Sequence, residues 1–431
     1  MAGPFQTLPV GDNASVELYL LRYGKDGLLR SPATEAAVKE TLTKVTDVYF
    51  FAHGWNNVFA TALDRYQSFA AGYIGQRIKY GVPHPGLGDY RPLLVGAIWP
   101  STSFVMPWEE GPAIAGWPDS PAALAQEELL TLSTSELNAD EDRAFVDAVD
   151  GRTTVNSDTA KKLAAILLRS MRSTTDPDDG SAPPDVKDLL NIWAELGGEN
   201  SSAGGAYTAA GPDIDLRGVL RATSVWKMKT RARAVGTRGV APLLDHILHS
   251  ETAVRLHLIG HSFGACVVLS ALNAVAGRAH AMLLLQPAVN RWCLAPKVRG
   301  NGQPGGYHSV LEKVEQPILT TFSSCDWPLT KVFHLAMKGK HLGEQQPQIS
   351  AVGDTDSFGA LGGYGPAGLD GQEITCNAVA PGEGRYPRSK EVRVVAIQGD
   401  TKVYGKVPIP GHGDISNPFT WWALHDLTRG D

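Results

Sequence analysis

Apolar and polar positions follow two different periods in the first hundred residues of the chain. Short apolar runs at 15–23, 47–52 and 93–99 have the length of β-strands, and the second is so uniformly apolar that it suits a strand buried on both faces of a sheet. Residues 32–45 and 58–79 carry apolar side chains at helical spacing. Strands that alternate with helices predict an α/β fold with a mostly parallel central sheet flanked by helices.

The same alternation returns in the second half of the chain. A long helical pattern covers 218–249, interrupted by two glycines and a proline, and another covers 263–276. Asn417 as a cap and Pro418 in the first turn predict the start of a last helix. Residues 336–390 are Gly-rich and predict a long irregular surface segment. Strands are predicted at 254–259, 281–286, 317–323 and 391–398.

The chain between these two parts differs in pattern and in charge. Residues 109–215 include 21 acidic and 7 basic side chains, whereas 217–238 include seven basic and no acidic ones. We therefore predict an α/β body formed by residues 1–100 and 217–431, with an acidic, all-helical insertion at 101–216. Helices are predicted in the insertion at 120–132, 140–149, 157–172 and 185–196.

Composition and charge narrow the classes of function. The 431 residues are 43% hydrophobic and 19% charged, as in soluble globular proteins, and a net charge of −6 gives no electrostatic surface for nucleic acid. The four cysteines form neither a disulfide framework nor a metal-binding pattern, which favours a reducing compartment. No signal-peptide pattern and no run of about 18 apolar residues occurs. We expect a cytoplasmic protein without integral membrane association or a nucleic-acid partner. Delivery by a non-classical secretion route and the oligomeric state stay open.

The strongest local signal is the pentapeptide Gly260-His261-Ser262-Phe263-Gly264, which fits G-x-S-x-G between a predicted strand and a predicted helix. A serine on such a tight turn projects its hydroxyl from the C-terminal edge of the sheet, and the glycines allow the turn to close. The helix N-terminus also places backbone N–H groups beside an oxyanion formed there. The bare pattern arises often by chance, but this context makes Ser262 the candidate nucleophile.

A second signal is His53-Gly54-Trp55, directly after the second predicted strand. Gly54 lets the backbone turn so that the Trp55 N–H points at the nucleophile, and the Phe263 N–H is the expected second donor of an oxyanion hole. The alternative is an ordinary strand-end turn capped by His53. His53 and His261 are themselves expected to make structural hydrogen bonds.

With these two turns, the sequence resembles a serine hydrolase of the α/β-hydrolase superfamily. The resemblance covers residues 1–100 and 217–431, and Trp99-Pro100-Ser101 at the end of a strand is a supporting match. It places the insertion where many members of the superfamily carry a cap or lid.

The order of functional residues in this superfamily implies the rest of the site. A serine is followed by an acid after the next-but-one strand and by a histidine after the last strand, which implies Asp326 and His412. Asp400 and Asp414 are rivals for the acid because they lie closer to His412 in sequence. In such a triad, His412 accepts the proton of Ser262 and Asp326 holds the imidazole in the required tautomer.

The resemblance implies hydrolysis of a carboxylic ester, from a small-molecule or lipid-like substrate, through an acyl-serine intermediate. Alternatives are a lipase- or phospholipase-type toxin or an acyltransferase with the same triad, and a catalytically silent binding scaffold. No cofactor and no metal are expected. The G-x-G-x-x-G string at 363–368 lacks a preceding strand, and the sequence has no zinc-binding motif or Cys/His cluster.

The insertion is expected to cover the sheet edge that carries Ser262. The predicted helix at 157–172 has one apolar stripe, and an amphipathic helix must cover another apolar surface. Part of that surface is expected to line the cleft and to exclude water from it. The alternative is an insertion that packs on the far side of the body. The stripe consists of Leu163, Ile166, Leu167 and Met171.

Overall fold

The computed structural model is organised around a nine-stranded β-sheet. The structure describes residues 3–9, 15–55, 59–81, 90–101, 139–149, 154–170, 185–187, 189–190, 214–299, 302–333 and 359–429. Its strands are β1 (Gln6–Pro9), β2 (Ser15–Arg22), β3 (Asp47–Ala52), β4 (Pro92–Ile98), β5 (Thr154–Val155), β6 (Ile214–Asp215), β7 (Arg255–His261), β8 (Ala281–Leu285), β9 (Ile318–Phe322), β10 (Glu373–Asn377) and β11 (Val394–Gln398). The sheet order is β1-β2-β4-β3-β7-β8-β9-β11-β10, and β5 pairs with β6. Neighbouring strands of the large sheet are parallel, except that β1 is antiparallel to β2.

Helices cover both faces of this sheet. They are α1 (Pro32–Thr41), α2 (Phe59–Tyr80), α3 (Ala139–Val149), α4 (Ser157–Ser170), α5 (Leu216–Ala234), α6 (Ala241–Leu248), α7 (Phe263–Asn273), α8 (Leu361–Tyr364) and α9 (Pro418–Thr428). Buried side chains of α1, α5, α6 and α7 form one apolar core with the sheet, and those of α2 and α9 form a second. Within the described residues, no helix is both long and apolar enough to cross a membrane.

The α/β fold with a mostly parallel sheet flanked by helices, predicted from the hydrophobic pattern, is confirmed. Every strand predicted for the body is present within a few residues, and Asn417 caps α9 by accepting hydrogen bonds from the backbone N–H groups of Phe419 and Thr420. The interruption of the long helix is also present: a π-helical segment, Val235–Val240, joins α5 to α6. A Cβ on Gly236 would lie 2.4 Å from the carbonyl oxygen of Val267, so glycine lets this segment pack directly against α7.

Two edge strands depart from the sequence prediction. β1 was not predicted, and β10 lies inside 336–390, which was expected to be irregular. Both strands are short and mostly exposed or half-buried, so neither has the apolar run or clean alternation by which strands are recognised. The expectation for 336–390 is therefore wrong at β10 and at the short helix α8, while 336–358 lies outside the described residues.

The insertion is only partly described. Helices α3 and α4 confirm the predictions at 140–149 and 157–172, whereas the helix predicted at 120–132 lies outside the described residues, as does most of 185–196. The expectation of an all-helical insertion is wrong, because β5 and β6 form a short antiparallel pair. Each strand has only two residues, which is too short to produce a periodic signal.

The apolar stripe of α4 is buried. Leu163 and Leu167 are fully inaccessible and Ile166 nearly so, and all three belong to the same apolar cluster as one face of the sheet. Met171 lies outside the described residues. The boundaries at 101 and 216, and a position of the insertion over Ser262, stay predictions.

Candidate active site

Ser262 occupies the turn between β7, a central strand of the sheet, and α7. Its backbone has φ +55° and ψ −125°, a conformation that non-glycine residues adopt only when the surrounding structure imposes it. The Ser262 N–H donates to the carbonyl oxygen of Leu285 at 3.0 Å, and its own carbonyl oxygen accepts from the N–H groups of Ala265 and Ala288 at 3.0 and 3.1 Å. These hydrogen bonds hold the strained turn in place.

The glycines of the pentapeptide and of the neighbouring turn are required by close contacts. A Cβ on Gly264 would lie 2.0 Å from the carbonyl oxygen of Ala52, at the end of β3. A Cβ on Gly260 would lie 2.6 Å from Cα of Ala265, and one on Gly54 would lie 2.6 Å from Cβ of Ser262. The end of β3 therefore packs directly on the turn that carries the serine.

Gly264→Ala is expected to destabilise the protein strongly, because the methyl group overlaps with backbone atoms that cannot move aside independently. The matched control is Gly75→Ala, on an exposed position of α2 where an added Cβ meets nothing within 4 Å. That change is expected to raise stability by about 0.5–1 kcal/mol, because alanine is the better helix former. Thermal or urea unfolding of the two variants measures both effects. Equal stability of the two proteins would contradict the packing described here.

The structure brings Ser262, His412 and Asp326 together at the C-terminal edge of the sheet. Nε2 of His412 lies 2.9 Å from Oγ of Ser262, and Nδ1 of His412 lies 2.7 Å from Oδ2 of Asp326. Asp326 is fully buried and its second oxygen accepts a hydrogen bond from the N–H of Leu329 at 3.1 Å. Because a carboxylate only accepts, Nδ1 of His412 carries the proton when the imidazole is neutral. Nε2 is then left to accept the proton of the Ser262 hydroxyl.

Among the described residues, no hydrogen bond or ion pair joins either rival acid to the imidazole of His412. Asp400 instead accepts hydrogen bonds from the N–H and the hydroxyl of Ser324 and from the amide of Gln398. It thereby connects the loop after β11 to the loop that carries Asp326. Asp414 is exposed.

His53 is a buried structural residue. Its Nδ1–H donates to the carbonyl oxygen of Gly54 at 2.9 Å, and its Nε2 accepts from the N–H of Trp99 at 3.4 Å. The imidazole of His53 and the indole of Trp99 stack with ring centroids 5.6 Å apart. Burial lowers the pKa of His53 to about 4, so the ring is neutral near pH 7. His53 thus connects the ends of β3 and β4.

His261 holds the loop that carries His412. Its Nε2–H donates to the carbonyl oxygen of His412 at 3.0 Å, and a guanidinium nitrogen of Arg65 lies 3.5 Å from its Nδ1. Burial, and after it the nearby charges of Arg65 and His412, lower the pKa of His261 well below its ordinary value. A neutral ring with its proton on Nε2 satisfies both contacts. The structural hydrogen bonds expected of His53 and His261 are therefore present.

The structure shows the surroundings of one of the two predicted oxyanion donors, the Phe263 N–H. No described acceptor takes a hydrogen bond from the Phe263 N–H, which begins α7 next to Ser262. The indole of Trp55 contacts the ring of Phe263 edge-on, with centroids 6.0 Å apart. The chain directly after Trp55 lies outside the described residues, and donation by the Trp55 N–H stays a prediction.

Gln286, which directly follows β8, is a residue of the site that the sequence motifs do not predict. This residue is fully buried, and its side-chain amide contacts both Asp326 and the carbonyl oxygen of Gly411. Its place after a central strand was the only signal in the sequence, since an isolated glutamine belongs to no motif.

Comparisons with known proteins add no family. No protein-family model, curated protein or solved structure matches the chain. Among the described residues, no group of three or more His, Cys, Asp or Glu side chains is arranged to hold a metal ion. The geometry of the site is therefore the basis for assigning a function.

Proposed function

We propose that the protein is a serine hydrolase of the α/β-hydrolase superfamily that cleaves carboxylic esters through an acyl-Ser262 intermediate. The observation that carries the proposal is the continuous chain of hydrogen bonds from Ser262 through His412 to Asp326, at 2.9 and 2.7 Å. The three residues follow β7, β9 and β11, which is the order expected from the superfamily. A mostly parallel sheet flanked by helices is consistent with that fold.

Each of these three hydrogen-bonded residues has a definite role in the proposed reaction. Oγ of Ser262 attacks the ester carbonyl carbon while its proton passes to Nε2 of His412, and Asp326 stabilises the imidazolium that forms. The developing oxyanion accepts hydrogen bonds from the Phe263 N–H and from the predicted second donor, Trp55. Collapse of the intermediate expels the alcohol, which takes the proton from Nε2. A water molecule then gives a proton to Nε2 of His412 and attacks the acyl-serine. Collapse of this second intermediate releases the carboxylic acid and returns the proton to Oγ of Ser262.

The backbone of Ser262 favours an enzyme over a silent scaffold. A left-handed φ at a non-glycine residue costs about 1–3 kcal/mol, and such strain concentrates at functional sites. Here it aims a hydroxyl at an imidazole nitrogen, and the hydrogen bond to the buried carboxylate of Asp326 orients the ring. The preference for esters over amides rests on analogy with the superfamily.

Reaction of the wild-type protein with a fluorophosphonate tests this proposal. Oγ of Ser262 is expected to bond to phosphorus with loss of fluoride, and peptide mass mapping is expected to find the adduct on Ser262 alone. Heat-unfolded protein, in which the triad is dispersed, is the control and is expected to stay unlabelled. A panel of p-nitrophenyl esters from acetate to long acyl chains then measures turnover. An adduct on another residue, or no hydrolysis across the panel, would overturn the proposal.

A further inference from the structure

Gln286 lies between the strands that lead to the nucleophile and to the acid. It follows β8, whose neighbours in the sheet are β7 and β9. Its backbone has φ +41°, which is uncommon for a residue with a side chain, and its N–H donates to Oγ1 of Thr321 at 2.9 Å. A Cβ on Gly362 would lie 2.3 Å from the carbonyl carbon of Gln286, so α8 packs directly against this backbone. The backbone from which the Gln286 side chain projects is therefore tightly packed.

The amide of Gln286 donates to two acceptors beside His412. Nε2 lies 3.3 Å from Oδ2 of Asp326, the same oxygen that faces His412, and 2.7 Å from the carbonyl oxygen of Gly411, which precedes His412 in the chain. Both neighbouring atoms are oxygens that only accept hydrogen bonds. They therefore require the NH₂ group of the amide, and not its oxygen, to face them. One side chain thus connects the carboxylate to the loop that carries the imidazole.

The other end of the amide has no such contact. Oε1 of Gln286 is buried and has no hydrogen-bond partner among the described residues. An unsatisfied buried oxygen costs about 1–3 kcal/mol, whereas methionine would fill similar volume without that cost. A purely packing role therefore does not account for glutamine here, but the two hydrogen bonds donated by Nε2 do.

We propose that Gln286 is a positioning residue that holds Asp326 and the His412 loop in register for proton transfer. This inference rests on the proposed hydrolase function. Donation to Oδ2 also spreads the negative charge of Asp326 away from the imidazole. Without it, the carboxylate attracts the imidazolium more strongly, so the acid limb of the rate profile is expected to move.

Gln286→Met is the first test, because it keeps the length of the side chain and removes both donors. We expect kcat to fall about 10- to 100-fold, because small misplacements of catalytic groups have effects of this size. KM is expected to change little. The acid limb of the kcat/KM profile is expected to move to higher pH. The matched control is Thr320→Val on β9: its hydroxyl is also buried without a described partner, so rate and profile are expected to stay those of the wild type.

Gln286→Glu is the second test and preserves the shape if the methionine variant fails to fold. A carboxyl group beside Asp326 repels it when ionised, and the added negative charge favours the imidazolium. The shift of the acid limb to higher pH is therefore expected to exceed that of Gln286→Met. A merely structural defect would lower the amount of active protein without moving this limb.

A double-mutant cycle separates positioning from general damage. In the Asp326→Asn background, Gln286→Met is expected to lower the labelling rate by less than about threefold, because the group it positions is already lost. Unchanged profiles in both Gln286 variants, or full additivity with Asp326→Asn, would overturn the inference while leaving the hydrolase intact. A wild-type protein that neither labels nor hydrolyses esters would overturn the proposed function itself.

Discussion

Ser262→Ala is expected to abolish covalent labelling by a fluorophosphonate and to lower ester turnover by about 10⁴- to 10⁶-fold. The methyl group cannot form the bond to the acyl carbon, and neither His412 nor Asp326 is placed to replace it as nucleophile. Residual turnover is expected to come only from binding and from the oxyanion donors. Intact-mass measurement after labelling, together with kcat/KM for a p-nitrophenyl ester, checks both parts.

Ser270→Ala provides the control for this change. Ser270 lies on the same helix, α7, is also buried, and its hydroxyl is hydrogen-bonded to that of Tyr307 at 2.9 Å. Its loss is expected to cost about 1 kcal/mol of stability and to leave labelling unchanged. Full labelling of the Ser262→Ala protein would show that another residue reacts, and the proposed mechanism would then fail.

The parts of the site that the sequence revealed are those with local or topological signals. The sequence signal for the Ser262 turn lies within five consecutive residues between an apolar strand and a helix. Asp326 and His412 have no such local motif. The order of functional residues in the superfamily that the sequence resembles, applied to the predicted strands, implied both positions. The structure places each within hydrogen-bonding distance of its expected neighbour.

Gln286 could not be found in this way. Its contact with Gly411 joins residues 125 positions apart, and its amide orientation depends on two acceptors from different loops. Strand β10 shows the same limit in the fold, because a half-exposed edge strand buries too little apolar surface to leave a pattern. Hydrophobic periodicity reports burial, whereas these features depend on three-dimensional neighbours.

Asp326→Asn is expected to lower turnover by about 10⁴-fold while leaving the protein folded. In the wild-type protein, the N–H of Leu329 donates to Oδ1 of Asp326 at 3.1 Å. The asparagine oxygen can still accept this hydrogen bond, so the local turn is retained. Its NH₂ group then faces Nδ1 of His412 and donates to it. The imidazole proton moves to Nε2, which can no longer accept the proton of Ser262. Circular dichroism and kcat/KM on the same preparation separate folding from catalysis.

Asp400→Ala and Asp414→Ala are the matched controls, because both change an acid near His412 in sequence that does not contact it in the structure. Asp400→Ala removes the acceptor for the Ser324 N–H, at 3.1 Å, and is expected to cost about 1 kcal/mol of stability. Asp414→Ala is expected to cost less stability, because Asp414 is exposed. Both proteins are expected to retain turnover within about tenfold of the wild type, since the hydrogen bond between Asp326 and His412 remains. If either alanine variant loses activity while Asp326→Asn keeps it, the acid of the triad has been wrongly assigned.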